Sequence, residues 1–246
     1  MGGEGRAVVL THGAGMDHTV FEPQATDLAK AGYRVITWDL PGHGASPLES
    51  GARFTAAGAL TEFAALLDWL RLDRPILIGH SLGGNLSQAL VRADAHRAGG
   101  LIVLDATWNA GPLTGVERLG LRLAAPGLAL IPPARLPDLM ARVSAVTPDA
   151  VTHARTAFTA MPNRTFRDVW RATASLVAPE PGYRTPVPLA LIRGARDRTG
   201  NIATAMPRWA AAEHVEEHVV PGAGHLVTLD APEATADTLR AVLSLW

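Results

Sequence analysis

The sequence predicts an α/β fold, a doubly wound and mainly parallel sheet of about six strands with a helical cap inserted after the strand ending at Asp105. Three observations carry this expectation. Short apolar runs alternate with longer amphipathic ones along the chain. Most of the short runs are apolar throughout, as strands covered on both faces must be. One long interval, 108–183, holds helical patterns without a strand pattern. At 246 residues and 48% hydrophobic, the chain is long enough for one well-buried core.

The first strand is AVVLTHG (7–13), followed by a helical pattern over 23–31 that contains the single lysine, Lys30. YRVITWD (33–39) is the second strand. It runs into DLPGHGAS, where Gly42 and Gly44 suit a tight loop and Asp39 is placed to brace it. A helix over 57–71 precedes PILIGHS (75–81), and a helix over 83–94 precedes LIVLDAT (101–107). The interval that follows is punctuated by Pro126, Pro132, Pro133, Pro137, Pro148, Pro162 and Pro179. An unstructured loop of that length does not suit a compact domain, so the interval reads as helices covering one end of the sheet. PLALIRG (188–194), a helix over 203–212, the less apolar strand VEEHVVPG (215–222) and a helix over 232–245 complete the chain. The expected division is core 1–107, cap 108–183 and core 184–246, with right-handed crossovers between parallel strands.

Composition removes several classes of function. A net charge of -1 and a pI near 6.8 give no electrostatic basis for a nucleic-acid or anionic-membrane partner. With no cysteine there is no disulfide, thiolate metal site or cysteine nucleophile. The start, MGGEGRAVVL, lacks a basic stretch followed by an apolar core, and Arg6 stands where a myristoylation signal needs Ser or Thr. Apolar runs such as LALIPP are too short to span a membrane. A cytoplasmic protein acting on a small molecule, without metal or cofactor, is the expectation.

Gly79-His80-Ser81-Leu82-Gly83, between a strand and a helix, has the form of a nucleophile elbow. Glycines on both sides let the chain turn sharply and lift the Ser81 hydroxyl above the sheet. The Leu82 N–H, free at the start of the helix, can point at a developing oxyanion. Serine needs a base. Of the nine histidines, His225 lies on the small-residue loop Gly222-Ala223-Gly224, at the same carboxyl edge of the sheet as Ser81. His80 projects elsewhere and reads as a packing residue, while His96, His153, His214 and His218 fall on surface or helical patterns. The imidazole in turn needs an acid to fix its tautomer. Asp197, in GARD after the fifth strand, fills that role in the order Ser, Asp, His; Asp105, ending the fourth strand, is the competing acid.

Through HGAG (12–15), DLPGHGAS (39–46), GHSLGG (79–84), GARD (194–197) and GAGH (222–225), essentially the whole chain resembles the capped branch of the α/β-hydrolase fold superfamily. The resemblance implies a serine hydrolase in which Ser81 attacks a carbonyl, His225 shuttles the proton, and the N–H groups of Leu82 and Ala14 hold the oxyanion. It implies an esterase or lactonase, with cofactor-free haloperoxidase, carbon–carbon bond hydrolase, thioesterase or a slow-turnover ligand receptor as rivals. Ser81 at the elbow argues against the aspartate-nucleophile dehalogenases and epoxide hydrolases. The absence of lysine from the cap argues against hydroxynitrile lyases. Members usually begin with a β-hairpin, for which too few residues precede Ala7, so one sheet edge should be less protected. Trp108, Phe158, Met161, Phe166 and Trp170 are the candidates to line an apolar pocket under the cap.

Overall fold

The computed structural model describes residues 5–246; Met1–Glu4, the first residues of the N-terminal stretch read above, lie outside it. Six strands form one sheet, all parallel: β1 (Ala7–Thr11), β2 (Arg34–Trp38), β3 (Ile76–His80), β4 (Gly100–Leu104), β5 (Leu189–Gly194) and β6 (Glu217–Val220). Their order is β2-β1-β3-β4-β5-β6. The direction of winding therefore reverses between β1 and β3, and in sheets of this kind the crevice at the carboxyl ends of such a pair is where ligands bind.

The apolar runs become strands because both sheet faces are covered. Val8, Leu10, Ile76, Ile78, Ile102, Leu104 and Ile192 point into one buried cluster, shared with α1 (Glu22–Lys30) and α10 (Pro232–Leu243). Their immediate neighbours Val9, Leu77, Leu101, Val103 and Leu191 point into the other, shared with α2 (Ala56–Trp69), α3 (Leu82–Ala93) and α8 (Ile202–Glu213). This is the two-residue period of a strand expressed on two apolar sides. The two edge strands are the exceptions: only Val35 of β2 is fully buried, and in β6 Glu217 and His218 are half-buried and Val219 is exposed.

Between β4 and β5 lie α4 (Gly115–Ala129), α5 (Leu136–Ser144), α6 (Pro148–Ala160) and α7 (Asn163–Leu176). The prolines do not all separate helices: Pro126 sits inside α4, which forgoes one backbone hydrogen bond there. Pro137 and Pro148 stand in the first turns of α5 and α6 and Pro162 caps the start of α7, whereas Pro132, Pro133 and Pro179 lie in the connections. α5 lies against α6 and α4 against α7. Asp168 on α7, almost fully buried, accepts from Arg53 Nε (3.0 Å) and Arg171 (3.0 Å) and ties these helices to the loop before α2. No helix among the described residues is long and apolar enough to cross a membrane.

Candidate active site

Ser81 joins β3 to α3 at φ 50°, ψ −116°, which a non-glycine residue keeps only when its surroundings hold it there. Close approach of backbone supplies that hold. A Cβ on Gly79 would lie 2.4 Å from the Gly83 carbonyl oxygen, and one on Gly83 would lie 2.1 Å from that of Thr11. Hydrogen bonds from Ser81 N to Leu104 O and from Asn85 N to Ser81 O, both 2.9 Å, fix the turn on either side. The Leu82 N–H, at the first position of α3, has no acceptor within the helix.

The exit of β1 is drawn against this elbow. A Cβ on Gly13 would come within 2.7 Å of His80 Nδ1 and 3.1 Å of Ser81 Cβ, so only glycine allows the contact. His12 fixes the loop from below, donating through Nδ1 to Gly13 O (2.8 Å) and accepting from Leu40 N through Nε2 (3.0 Å). Burial lowers the His12 pKa and keeps the ring in the neutral form those two bonds require. Among the described residues, the Ala14 N–H donates to no backbone carbonyl. Asp39 accepts from His18 N (2.7 Å), His18 Nδ1 (2.9 Å) and Ala45 N (2.8 Å), bracing the neighbouring loop.

The loop after β6 carries His225 over Ser81. His225 Nε2 lies 3.0 Å from Ser81 Oγ, and His225 Nδ1 lies 3.1 Å from Asp197 Oδ2. A carboxylate can only accept, so the proton belongs on Nδ1 and the Nε2 lone pair faces the serine. Desolvation pushes the Asp197 pKa up, but the His225 charge, its hydrogen bond and the Thr199 N–H at 2.7 Å outweigh it and hold the group at about 2. His80, rather than packing idly, donates through Nε2 to the His225 carbonyl (2.7 Å). Burial, followed by the charge of His225, lowers its pKa to about 3, which keeps that tautomer neutral.

One residue that sequence reasoning missed ties the loop to the helical insertion. Asp230, on the short helix α9 (Val227–Asp230), accepts from Gly224 N (2.8 Å) next to His225, and from Val146 N (2.9 Å), Thr147 N (2.8 Å) and Thr147 Oγ1 (3.0 Å). Its donors are mainly backbone groups far away in sequence, and no residue pattern announces them.

Asp105, Asp197 and His225 bring their oxygens and nitrogens within 4.8 Å of one another, a spacing also seen around metals. The donor set does not suit an ion. Both Asp197 oxygens already accept N–H groups and Asp105 Oδ1 accepts from Gly194 N (2.8 Å), so Asp105 Oδ2 is the one carboxylate oxygen there with no partner.

A cleft of about 940 Å³ opens over Ser81 and His225, with Ala14 in its wall. Of the five candidates for an apolar pocket, Phe158 and Trp170 lie in its wall. Trp108, Met161 and Phe166 do not. Trp108 stacks on the buried Trp209 of α8 (6.0 Å, 2° between planes), so its ring is taken up by the apolar cluster between the sheet, α3 and α8. Met161 turns into the contact between the insertion and the Gly42–Gly44 loop, and Phe166 sits behind Phe158, edge-on at 5.8 Å. Much of the remaining apolar wall comes from α4, α5 and the connection between them, through Leu123, Leu128, Ile131, Met140 and Val143. Leu123 and Val143 are each 54% exposed, and an excess of apolar residues over one helical face is the signal that could have found them. Arg196 and Arg198, exposed and on either side of Asp197, stand at the rim.

The chain belongs to the alpha/beta hydrolase family, which it matches over residues 8–238. It is 33% identical over 114 residues to the 2-hydroxy-6-oxo-2,4-heptadienoate hydrolase of Pseudomonas putida, a stretch covering 46% of this chain and 41% of that protein. The aligned stretches span about two fifths of the length of the curated relatives it matches. Among solved structures, the bromoperoxidase from Bacillus anthracis superposes with a TM-score of 0.82 at 18% identity, covering 98% of this chain and 93% of that one. The thermophilic esterase from Thermogutta terrifontis gives 0.79 at 24% identity, covering 98% and 90%. At such identities these likenesses speak for the fold alone.

Proposed function

We propose that the protein is a serine hydrolase that cleaves a carboxylic ester or lactone through an acyl-enzyme on Ser81. The reading is carried by one observation, the line from Ser81 Oγ to His225 Nε2 (3.0 Å) and from His225 Nδ1 to Asp197 Oδ2 (3.1 Å). As Ser81 attacks the carbonyl carbon, its proton passes to His225 Nε2 and the carbonyl oxygen takes the negative charge. The Leu82 and Ala14 N–H groups receive that oxyanion. Collapse expels the alcohol, protonated by His225, and water then attacks the acyl-enzyme with His225 again as base. Asp197 stays ionised and balances the imidazolium. Helices α4–α7 act as the cap over 108–183, and their apolar wall receives the acyl or leaving group.

A second reading, hydrolysis of a carbon–carbon bond in an oxo acid, draws on the 33% identical heptadienoate hydrolase and on Arg196 and Arg198 at the rim, which suit a carboxylate-bearing substrate. Hydrolysis of p-nitrophenyl butyrate that vanishes in Ser81→Ala supports the ester reading. Turnover confined to oxo-dienoates, with no activity on esters or lactones of any chain length, would replace it by the second.

A further inference from the structure

We infer that Asp105 stands beside Asp197 as a neutral carboxylic acid, donating from Oδ2 to the Asp197 carboxylate and so positioning the acid that orients His225. The inference rests on the triad reading above and makes Asp105 a positioning residue behind its acid, outside the groups that touch substrate.

The backbone brings the three groups together. Asp105 follows directly on β4 at φ 43°, in the left-handed region, with its N–H on Ile192 O (3.0 Å). Its Oδ1 accepts the Gly194 N–H at 2.8 Å, which pins the carboxyl to the end of β5, three residues before Asp197. A Cβ on Gly194 would lie 2.0 Å from the Gly224 carbonyl oxygen, so the end of β5 is also pressed onto the His225 loop. Consecutive strand ends thus converge on one buried point.

As a pair of carboxylates this point does not balance. Asp105 is fully buried, and its Oδ2 faces no donor. A buried oxygen without a partner costs the full desolvation of that group, and more when it is charged. The charged and titratable groups around it are Asp197 after β5, His225 after β6 and Arg193 on β5. Arg193 is already engaged by Glu217 (2.7 Å). Asp197 is committed as the anion by His225 and the Thr199 N–H. One proton on Asp105 Oδ2 removes both faults, since it neutralises the buried charge and turns the orphan acceptor into a donor towards Asp197. The direction of titration agrees: burial first, and the Asp197 charge second, push the Asp105 carboxyl well above the usual carboxylate range.

Asparagine is the near-isostere of a protonated aspartic acid and tolerates positive φ, so Asp105→Asn keeps both hydrogen bonds and the fold. An unfolded Asp105 ionises above its ordinary pKa, whereas the folded one stays protonated. The sign follows: wild type loses stability relative to Asp105→Asn as pH rises from about 4 towards the folded value, and gains it back on acidification. The experiment measures urea unfolding of both proteins from pH 4.5 to 7.5, and kcat/KM against pH for wild type, Asp105→Asn and Asp105→Leu. The expected result is an unfolding-constant ratio that grows in favour of the asparagine variant, by up to about tenfold per pH unit. Activity of Asp105→Asn should stay within about threefold of wild type with the acid limb of the profile unmoved. In Asp105→Leu the loss of a donor leaves Asp197 more strongly negative, so the acid limb moves to higher pH. A stability ratio independent of pH, or an acid limb that falls in both variants as it would on losing a negative charge, overturns the inference. Absence of turnover in wild type would sink the hydrolase reading instead, and the unfolding measurement would still decide where the proton is.

Discussion

Replacing Asp197 with asparagine changes one atom, and the surroundings determine which way the new amide faces. The Oδ1 position takes the Thr199 N–H at 2.7 Å, so the amide oxygen must stay there and the NH₂ group must turn towards His225 Nδ1. An NH₂ donor forces Nδ1 to accept, which moves the imidazole proton to Nε2, the nitrogen 3.0 Å from Ser81 Oγ. The base is then blocked where it is needed. The carboxylate's own stabilisation is also lost. Depression of the Asp197 pKa from 3.8 to about 2, against desolvation, corresponds to roughly 2 kcal/mol in favour of the ion. Together the inverted tautomer and missing charge predict a loss of ~10⁴ in kcat, as in comparable triads, or roughly 5 kcal/mol. Initial rates on p-nitrophenyl butyrate, with circular dichroism to check the fold, provide the assay, and KM should change little because the ground state loses no contact. A folded Asp197→Asn variant that keeps more than about a thirtieth of wild-type kcat refutes the reasoning, because no tautomer penalty of this kind is that small.

Two other changes separate chemistry from shape. Trp170→Ala should extend the preferred acyl chain, each added methylene in the freed space gaining about 1–3 kcal/mol in discrimination. Trp108→Ala should leave the chain-length profile alone and cost about 3–5 kcal/mol of stability through the cavity left against Trp209; rates across a p-nitrophenyl ester series and urea unfolding check both. Asp230→Asn presents an NH₂ group to a cluster of N–H donors. It should cost about 1–3 kcal/mol in unfolding free energy and lower kcat by loosening the loop that carries His225, while unchanged turnover would show that the strap does not position the base.

What the sequence disclosed and what it hid divide along a physical line. The strands were legible because Val8, Ile76 and Ile102 belong to runs apolar on both faces that are too short for buried helices and alternate with amphipathic stretches. Gly79, Gly83 and Ser81 were legible because a missing Cβ is written in the residue type. The positions of Asp197 and His225 followed from their lying just beyond strand ends, which all reach one edge of a parallel sheet. The pocket wall was less accessible. Trp108 and Phe166 have the composition of pocket residues, but the direction in which a loop or a helix presents them depends on packing that no local pattern records. Their places in the cleft are taken by Leu123, Leu128 and Val143. Asp105 could be seen as a carboxyl near the site, but the orphan oxygen that gives it a distinct state exists only once β4 and β5 are paired.

The central claim is that Ser81 is the nucleophile, and covalent capture tests it without needing the natural substrate. Wild type and Ser81→Ala are incubated with a small fluorophosphonate, and intact mass with peptide mapping locates the adduct. The account predicts one phosphonyl group per wild-type chain, on the peptide containing Gly79-His80-Ser81-Leu82, and none on Ser81→Ala. An adduct that persists in Ser81→Ala, or a wild-type protein that stays unlabelled while folded, would contradict it.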